Sequence, residues 1–196
     1  EFAGNLMKCA MALKDEKVFM KASTFNIMYE GYLTYGGMAG RDMAALARGL
    51  MESTTESYLE SRIKQVAYLG EKLKAFHIPV LEPFGGHAIF IDAKRFFPLL
   101  PKEEFIAQTL ALEVYIEGGI RGVEIGTLLA DRDPHTRENR YPALEMLRLA
   151  IPRRVYTTSH MDYIAAALKN VFERRNDVKR GYRIVSEAPI MRHFTV

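Results

Sequence analysis

The sequence has little cysteine: Cys9 stands alone among 196 residues. No intrachain disulfide can staple the fold, and a reducing, cytoplasmic setting is expected. Zinc spacing is missing too. The five histidines, His77, His87, His135, His160 and His193, never pair at i,i+4, so a metal site made from them is not expected. No apolar run approaches the ~18 residues that span a bilayer, and the opening residues lack the basic and apolar regions of a signal peptide. A surplus of one charge is absent: 27 basic against 24 acidic residues leave a net +3, too even for a nucleic-acid footprint. Solenoid-period repeats, low-complexity tracts, GxSxG, a nucleophilic-cysteine motif and paired carboxylates are likewise missing. What remains is a chain with 48% hydrophobic residues, enough for one large domain or one and a half with a real core. The start Glu1-Phe2-Ala3 has no initiator Met and no cap signal, and suits a domain made separately, a proteolytic remnant or one piece of a longer protein.

The chain changes character near residue 79. Before it, Val18, Phe19, Ala22, Phe25, Ile27 and Met28 suggest a helix. From Arg41 to about Phe76 apolar residues recur every three or four positions, with Ser53-Thr54-Thr55 as an interruption. Between these lies a stretch with three tyrosines and four glycines in twelve residues, Tyr29 to Gly40. Its GGxxG is a weak phosphate-loop signal, because no strand precedes it. After residue 79 short strands are expected at Val80-Leu81, His87–Asp92, Ile120–Ile125 and Leu147–Ile151, with a further β-type run at Val155–Thr158. Helices are expected over Lys102–Glu117, closed by Gly118-Gly119, and from His160 to about Arg175, opened by Ser159 with Asp162 as a capping box. Residues 132–141 read as an exposed polar excursion. The basic run Arg174 to Arg180 reads as a solvated helix end, and Arg183–Val185 and Met191–Thr195 as extended pieces. The alternation argues for an α/β or α+β fold, a small sheet with helices packed on one face.

One residue resists a bland account. Arg148 lies between Leu147 and Leu149 in a strand that Pro152 must end. A cation beside core positions is costly unless an anion meets it, and a guanidinium suits a carboxylate or phosphate because its planar fork makes two parallel hydrogen bonds. The plain alternative is a strand whose Arg148 faces water or a structural glutamate. His87, after Gly85-Gly86, reads as a satisfied structural histidine at the start of a buried strand, and His193 as a residue of a surface tail.

The segments YEGYLTYGGMAGRDM, GGHAIFIDAKRF, GIRGVEIGTLLADRDP, LRLAIPRRVYTTSHMD and MRHFT, in this order and spacing, resemble the C-terminal part of the tryptophanase and tyrosine phenol-lyase family. These are pyridoxal-phosphate-dependent β-eliminating lyases of aspartate-aminotransferase (type I) fold. The resemblance runs over essentially the whole chain. It implies that residues 1–50 end the large cofactor-binding domain, 51–78 form a connecting helix and 79–196 form the C-terminal small domain. The family's Schiff-base lysine sits in a Ser-x-Lys-Lys motif, which is absent here, so that lysine is expected just upstream. The chain alone is therefore expected to be inactive, to bind no cofactor, and to contribute no catalytic residue.

The resemblance also assigns roles. Arg148 falls on the arginine that holds the substrate α-carboxylate. His193 falls on the C-terminal histidine typical of tryptophanase, where the phenol-lyase has phenylalanine. Ile125 falls where the phenol-lyase carries an arginine for the phenol hydroxyl, and an aliphatic side chain there suits indole. Both positions side with tryptophan cleavage to indole, pyruvate and ammonia. Tyr32 and Tyr35 fall on a segment reaching a neighbouring subunit's active site, and His87 on a histidine near the domain junction. Asn5 falls on an asparagine whose carbonyl helps bind a monovalent cation, usually K+. The expected partners are L-tryptophan or a similar amino acid and further copies in a homotetramer, with neither nucleic acid nor membrane. The alternatives are tyrosine phenol-lyase or a related lyase, or a catalytically inactive oligomerisation module.

Overall fold

The computed structural model describes residues 15–30, 39–188 and 192–195, with Asn26, Ile27, Tyr29 and Glu30 described by their backbone alone. The chain divides into two compact units, Glu1–Tyr58 and Leu59–Val196.

In the first unit, α1 spans Glu16–Glu30. Asp15 starts it: its Oδ1 accepts the N–H groups of Lys17 at 2.9 Å and Val18 at 3.2 Å, two donors that have no partner within the helix. Helix α2 spans Gly40–Glu52 and places Met43, Leu46 and Leu50 along one exposed stripe. It stops at Ser53-Thr54-Thr55 for a visible reason. Each of the three hydroxyls donates at 2.8 Å to the carbonyl three residues back, on Leu50, Met51 and Glu52, and so competes with helix propagation. Helix α3, Glu56–Ala75, restarts after them and enters the second unit at Leu59.

The second unit is built on a three-stranded antiparallel sheet of order β1-β3-β2: β1 Ala88–Asp92, β2 Val123–Ile125 and β3 Met146–Ala150. Strands this short still define two faces, because successive side chains alternate. Ile89, Ile91, Leu147 and Leu149 point to the core face. There they pack with Val66, Leu69 and Leu73 of α3, with Ile106, Leu110 and Val114 of α5 (Ile106–Gly118), and with Met161, Leu168 and Val171 of α7 (Thr158–Glu173). Phe96, in the short helix α4 (Ala93–Phe96), is fully buried and meets Phe97 and Phe172 edge-on at 4.9 and 5.0 Å between ring centres. Helix α5 ends at Gly119, whose φ of +63° closes the last turn in the left-handed region. A four-residue helix, α6 (Thr127–Ala130), follows β2 at once. The unit is thus a small mixed α/β layer with its helices on the core face, as the alternation implied.

Several local expectations change. Val80-Leu81 forms no strand, only a single bridge from Val80 to Ile91. The expected helix at Lys102 is a 3-10 turn, Lys102–Glu104, cut from α5 by Phe105 at φ 46°. The run Val155–Thr158 is no strand: Arg153–Val155 form a turn with Arg154 at φ 58°. Helix α7 begins at Thr158 with Thr157 as its cap, not at His160 with Ser159 as its cap, because the Thr157 N–H donates to His160 Nδ1 at 3.1 Å and closes a capping box there. The α3 face bearing Gln65, Tyr68 and Lys72 holds this turn region: Gln65 donates to the Tyr156 carbonyl at 2.7 Å, and Tyr68 and Lys72 both reach Asp162. Arg183–Val185 join no ladder, and Arg192–Phe194 form a 3-10 turn rather than an extended piece. Arg174 is not a free solvated cation either. It bonds Glu113 at 2.7 Å and Glu117 at 3.4 Å across to α5, and these hydrogen bonds, Glu113's first, hold its guanidinium even more firmly charged than usual. None of the helices, among the described residues, is long and apolar enough to cross a membrane.

Candidate functional site

The sheet's second face carries the residues that the packing does not explain. In β3, Leu147 and Leu149 go to the core, so Met146 and Arg148 go to the other side. Arg148 sits on the central strand, directly opposite Phe90 of β1 and Val123 of β2. Ile125 pairs with Met146, two residues from Arg148, so Ile125 and Arg148 share this face as diagonal neighbours, roughly 7–8 Å apart at their Cα atoms. The structure therefore brings these two of the candidate residues together.

Arg148 has an unmet need. Its Nε is buried and finds no hydrogen-bond partner among the described residues. A buried N–H without a partner costs about 1–3 kcal/mol, which an incoming anion would relieve. The expectation of a structural glutamate does not hold there: Glu124 and Glu145, the two buried glutamates among the described residues, are held elsewhere. Glu124 alternates with Val123 and Ile125 and so points to the core side. It accepts the N–H groups of Leu128 at 3.0 Å and Leu129 at 2.9 Å. Glu145 accepts the Thr127 N–H at 2.9 Å, the Thr127 hydroxyl, and the Ala107 N–H at 3.4 Å. Two carboxylates thus cap the starts of α6 and α5. Burial pushes the Glu124 carboxyl above its ordinary range; the backbone donors of Leu129 and Leu128 oppose that, and the charge of Glu145 adds to it. Gly126 lies between the pair. A Cβ there would stand 2.2 Å from Glu145 Oε2 and 2.7 Å from Glu124 Oε1, so only glycine fits.

The other candidates are scattered. His87 is exposed, one residue outside β1, with its ring edge-on to Phe90 at 6.2 Å. It is not the buried structural histidine that its place beside an apolar strand suggested, because the strand begins one residue later. Its main chain is used, since the His87 carbonyl accepts the Ile151 N–H at 2.8 Å. His193 is half-buried, with its ring against Phe194 at 3.9 Å, rather than part of a loose surface tail. Tyr32, Tyr35 and Asn5 lie outside the described residues. Among the described residues no group of three or more His, Cys, Asp and Glu side chains could hold a metal ion.

Two features escaped the sequence reading. The buried Glu124 was visible only as an acid in an apolar strand, Val123-Glu124-Ile125. Arg192 gave less signal still, yet it is 1% exposed. It donates to the carbonyls of Leu128 at 3.1 Å and Thr127 at 2.7 Å and to Asn139 Oδ1 at 2.7 Å. Close by, Arg132 forks onto Glu187 at 2.6 and 3.3 Å. That bond lowers the Glu187 pKa and raises that of Arg132.

Arg148, with its unpartnered buried Nε, thus stands on the central strand of a small mixed α/β unit. Comparison with known proteins gives it a family. The beta-eliminating lyase family model matches residues 13–167. A Trichomonas vaginalis protein named "Probable beta-eliminating lyase" is 63% identical over 175 residues, covering 89% of this chain and 38% of its own length. Tyrosine phenol-lyase of Nostoc punctiforme is 48% identical, covering 94% of this chain and 39% of its own length. Tyrosine phenol-lyase of Intrasporangium calvum is 49% identical, with 94% and 39% covered. The chain belongs to the beta-eliminating lyase family, and it corresponds to the C-terminal portion of the tryptophanase and tyrosine phenol-lyase group. It spans about two fifths of the length of the curated relatives it matches. The family is generally pyridoxal-phosphate-dependent.

Proposed function

We propose that this chain is the substrate-closing part of a pyridoxal-phosphate-dependent, fold-type-I lyase that cleaves L-tryptophan with water to indole, pyruvate and ammonia. The observation that carries the reading is Arg148: a guanidinium with an unpartnered buried Nε, central on an open sheet face, beside an aliphatic residue. Arg148 fits the substrate side of such a site. Its fork takes both oxygens of the α-carboxylate, which fixes the amino acid and sets the direction of its Cα–H bond. When bound, the cofactor supplies the electron sink for the charge left on Cα after proton removal. Ile125 offers hydrocarbon contact to an indole and no hydrogen bond to a phenolic hydroxyl. His193 can donate or accept a hydrogen bond near the aromatic leaving group through its imidazole nitrogens. This reading assigns the role of the Schiff-base lysine to no residue of this chain.

The same proposal divides the chain into the end of the large domain (1–50), a connecting helix (51–78) and a small domain (79–196). It places Tyr32 and Tyr35 toward a neighbouring subunit of a homotetramer, and a K+ at the Asn5 carbonyl.

A second reading, tyrosine phenol-lyase, is favoured by the names of the relatives at 48–49% identity. Indole against phenol release by the full-length protein separates the two. The carboxylate role is tested by Arg148→Ala and Arg148→Lys in that protein. Losing a charge-assisted pair worth about 1.5–3 kcal/mol lowers kcat/KM roughly tenfold to hundredfold, with lysine recovering only part. Unchanged kinetics would remove the role.

A further inference from the structure

Arg192 is the largest fully buried side chain of the described residues, and it links two places that are far apart in sequence. Its Nη2 and Nε donate to the carbonyls of Thr127 and Leu128. These belong to α6, the four-residue helix that starts two positions after Ile125. The Leu128 carbonyl already accepts the Asp131 N–H at 3.2 Å, and Arg192 adds a second, charged donor to it; a cation suits carbonyls at the end of so short a helix. Nη1 adds Asn139 at 2.7 Å, Asp131 lies 3.4 Å from Nε, Glu187 lies 3.7 Å from Nη1, and the guanidinium sits 5.8 Å from the ring centre of Phe105. The opposite end of α6 is gripped by Glu124 and Glu145. The corner after Ile125 is therefore clamped at both ends by buried charges, and one clamp is the residue just before His193.

We infer that Arg192 is a positioning residue: it locks the C-terminal turn carrying His193 to the β2–α6 corner carrying Ile125, so that discrimination between aromatic leaving groups is a joint property of the two positions. This rests on the proposed lyase reading only for the roles of Ile125 and His193. The mechanical link rests on the hydrogen bonds. Residues held in one polar network couple energetically, whereas independent sites add. Neutralising Arg192 should uncouple them. A lysine, with a single ammonium in place of a fork, should keep part of the link.

The test uses the full-length protein in two arms. In the first, Ile125→Ala and His193→Phe are made singly and together, with Arg192 intact and with Arg192→Gln, and the ratio of kcat/KM for tryptophan over tyrosine is measured. The expected result is non-additivity of roughly threefold or more with Arg192 intact, falling to additivity with Gln. Additivity in both backgrounds overturns the inference. The second arm, amide hydrogen exchange without substrate, needs no activity. Arg192→Gln should speed exchange in α6 and in residues 192–195 together, while Leu147 and Leu149 in β3 stay protected. Unchanged protection of α6 overturns the link. If Gln also unfolds β3, Arg192→Lys takes its place and should show the same paired loosening to a smaller degree. Absence of any lyase activity would count against the proposed function alone, since the exchange arm still decides the link.

Discussion

Arg192 is fully buried and Arg148 is half-buried with its Nε covered, and they live opposite lives. Arg192 has donors spent on two carbonyls and an amide, with two carboxylates at its edges. Arg148 keeps a buried Nε with no partner among the described residues. The first arrangement stabilises a fold; the second leaves a cost in place that, on the proposed reading, a substrate carboxylate offsets.

The contrast breaks most directly on stability. Arg192→Ala removes a buried cation and leaves Thr127, Leu128, Asp131 and Glu187 without it, so we expect a loss of about 3–5 kcal/mol. Arg148→Ala removes an unsatisfied donor along with some aliphatic stem, and we expect a change within about 1 kcal/mol. Urea midpoints for the two variants are the measurement. Equal losses would mean that Arg148 is also a structural arginine and would take away the ground for its binding role.

A smaller effect comes from the clamp's other end. The carboxyl of Glu124 titrates above its ordinary range because it is buried. The folded state therefore holds its proton more tightly than the unfolded chain does. The stability that this adds is complete below the ordinary glutamate pKa and is lost as pH rises from there through the raised folded value. Glu187, bonded to Arg132, has the opposite sign: its contribution is present above the ordinary pKa and lost as pH falls through its lowered one. Glu124→Gln should flatten the fall in melting temperature on the rising-pH side and leave the acid side, where Glu187 acts, as it was. A melting profile unchanged in shape would show that Glu124 does not titrate differently in the folded state.

How much of this was legible in the sequence follows from what leaves a local signature. The hydrophobic alternation around Leu147 and Leu149 marked β3 within one residue at each end, and it isolated Arg148 as the odd member. Helix α5's glycine stop and the Ser53–Thr55 break were readable because glycine and short hydroxyl side chains act on their own backbone. The start of α7 was misplaced because His160 replaced the usual acid of a capping box, and an imidazole acceptor has no propensity signal. The Val155–Thr158 run has strand-like residues, but Arg154 at positive φ turns the chain before a ladder can form. Arg192 was silent for a deeper reason. Two of the three groups it donates to are main-chain carbonyls 64 and 65 residues away, and carbonyls carry no side-chain identity to read. The resemblance supplied the candidate roles of Arg148, Ile125 and His193; the register supplied the diagonal neighbourhood of the first two, and the buried Arg192 ties the third to the helix that follows Ile125.

The weakest expected effect is also a sharp test of the open face. His87 is exposed, contributes its carbonyl rather than its ring to the fold, and touches Phe90, which stands directly opposite Arg148. A side chain so placed should matter little to folding: His87→Ala should change stability by less than about 0.5 kcal/mol, read from the same urea midpoints. Phe90 would lose an edge contact, so any consequence should surface only when an amino acid occupies the face, as a change in apparent substrate affinity in the full-length enzyme. A loss in the ligand-free protein well beyond that margin would mean that the face around Arg148 supports the fold through its aromatic residues. The unpartnered Nε would then read as a residual defect of packing rather than a place kept for a carboxylate.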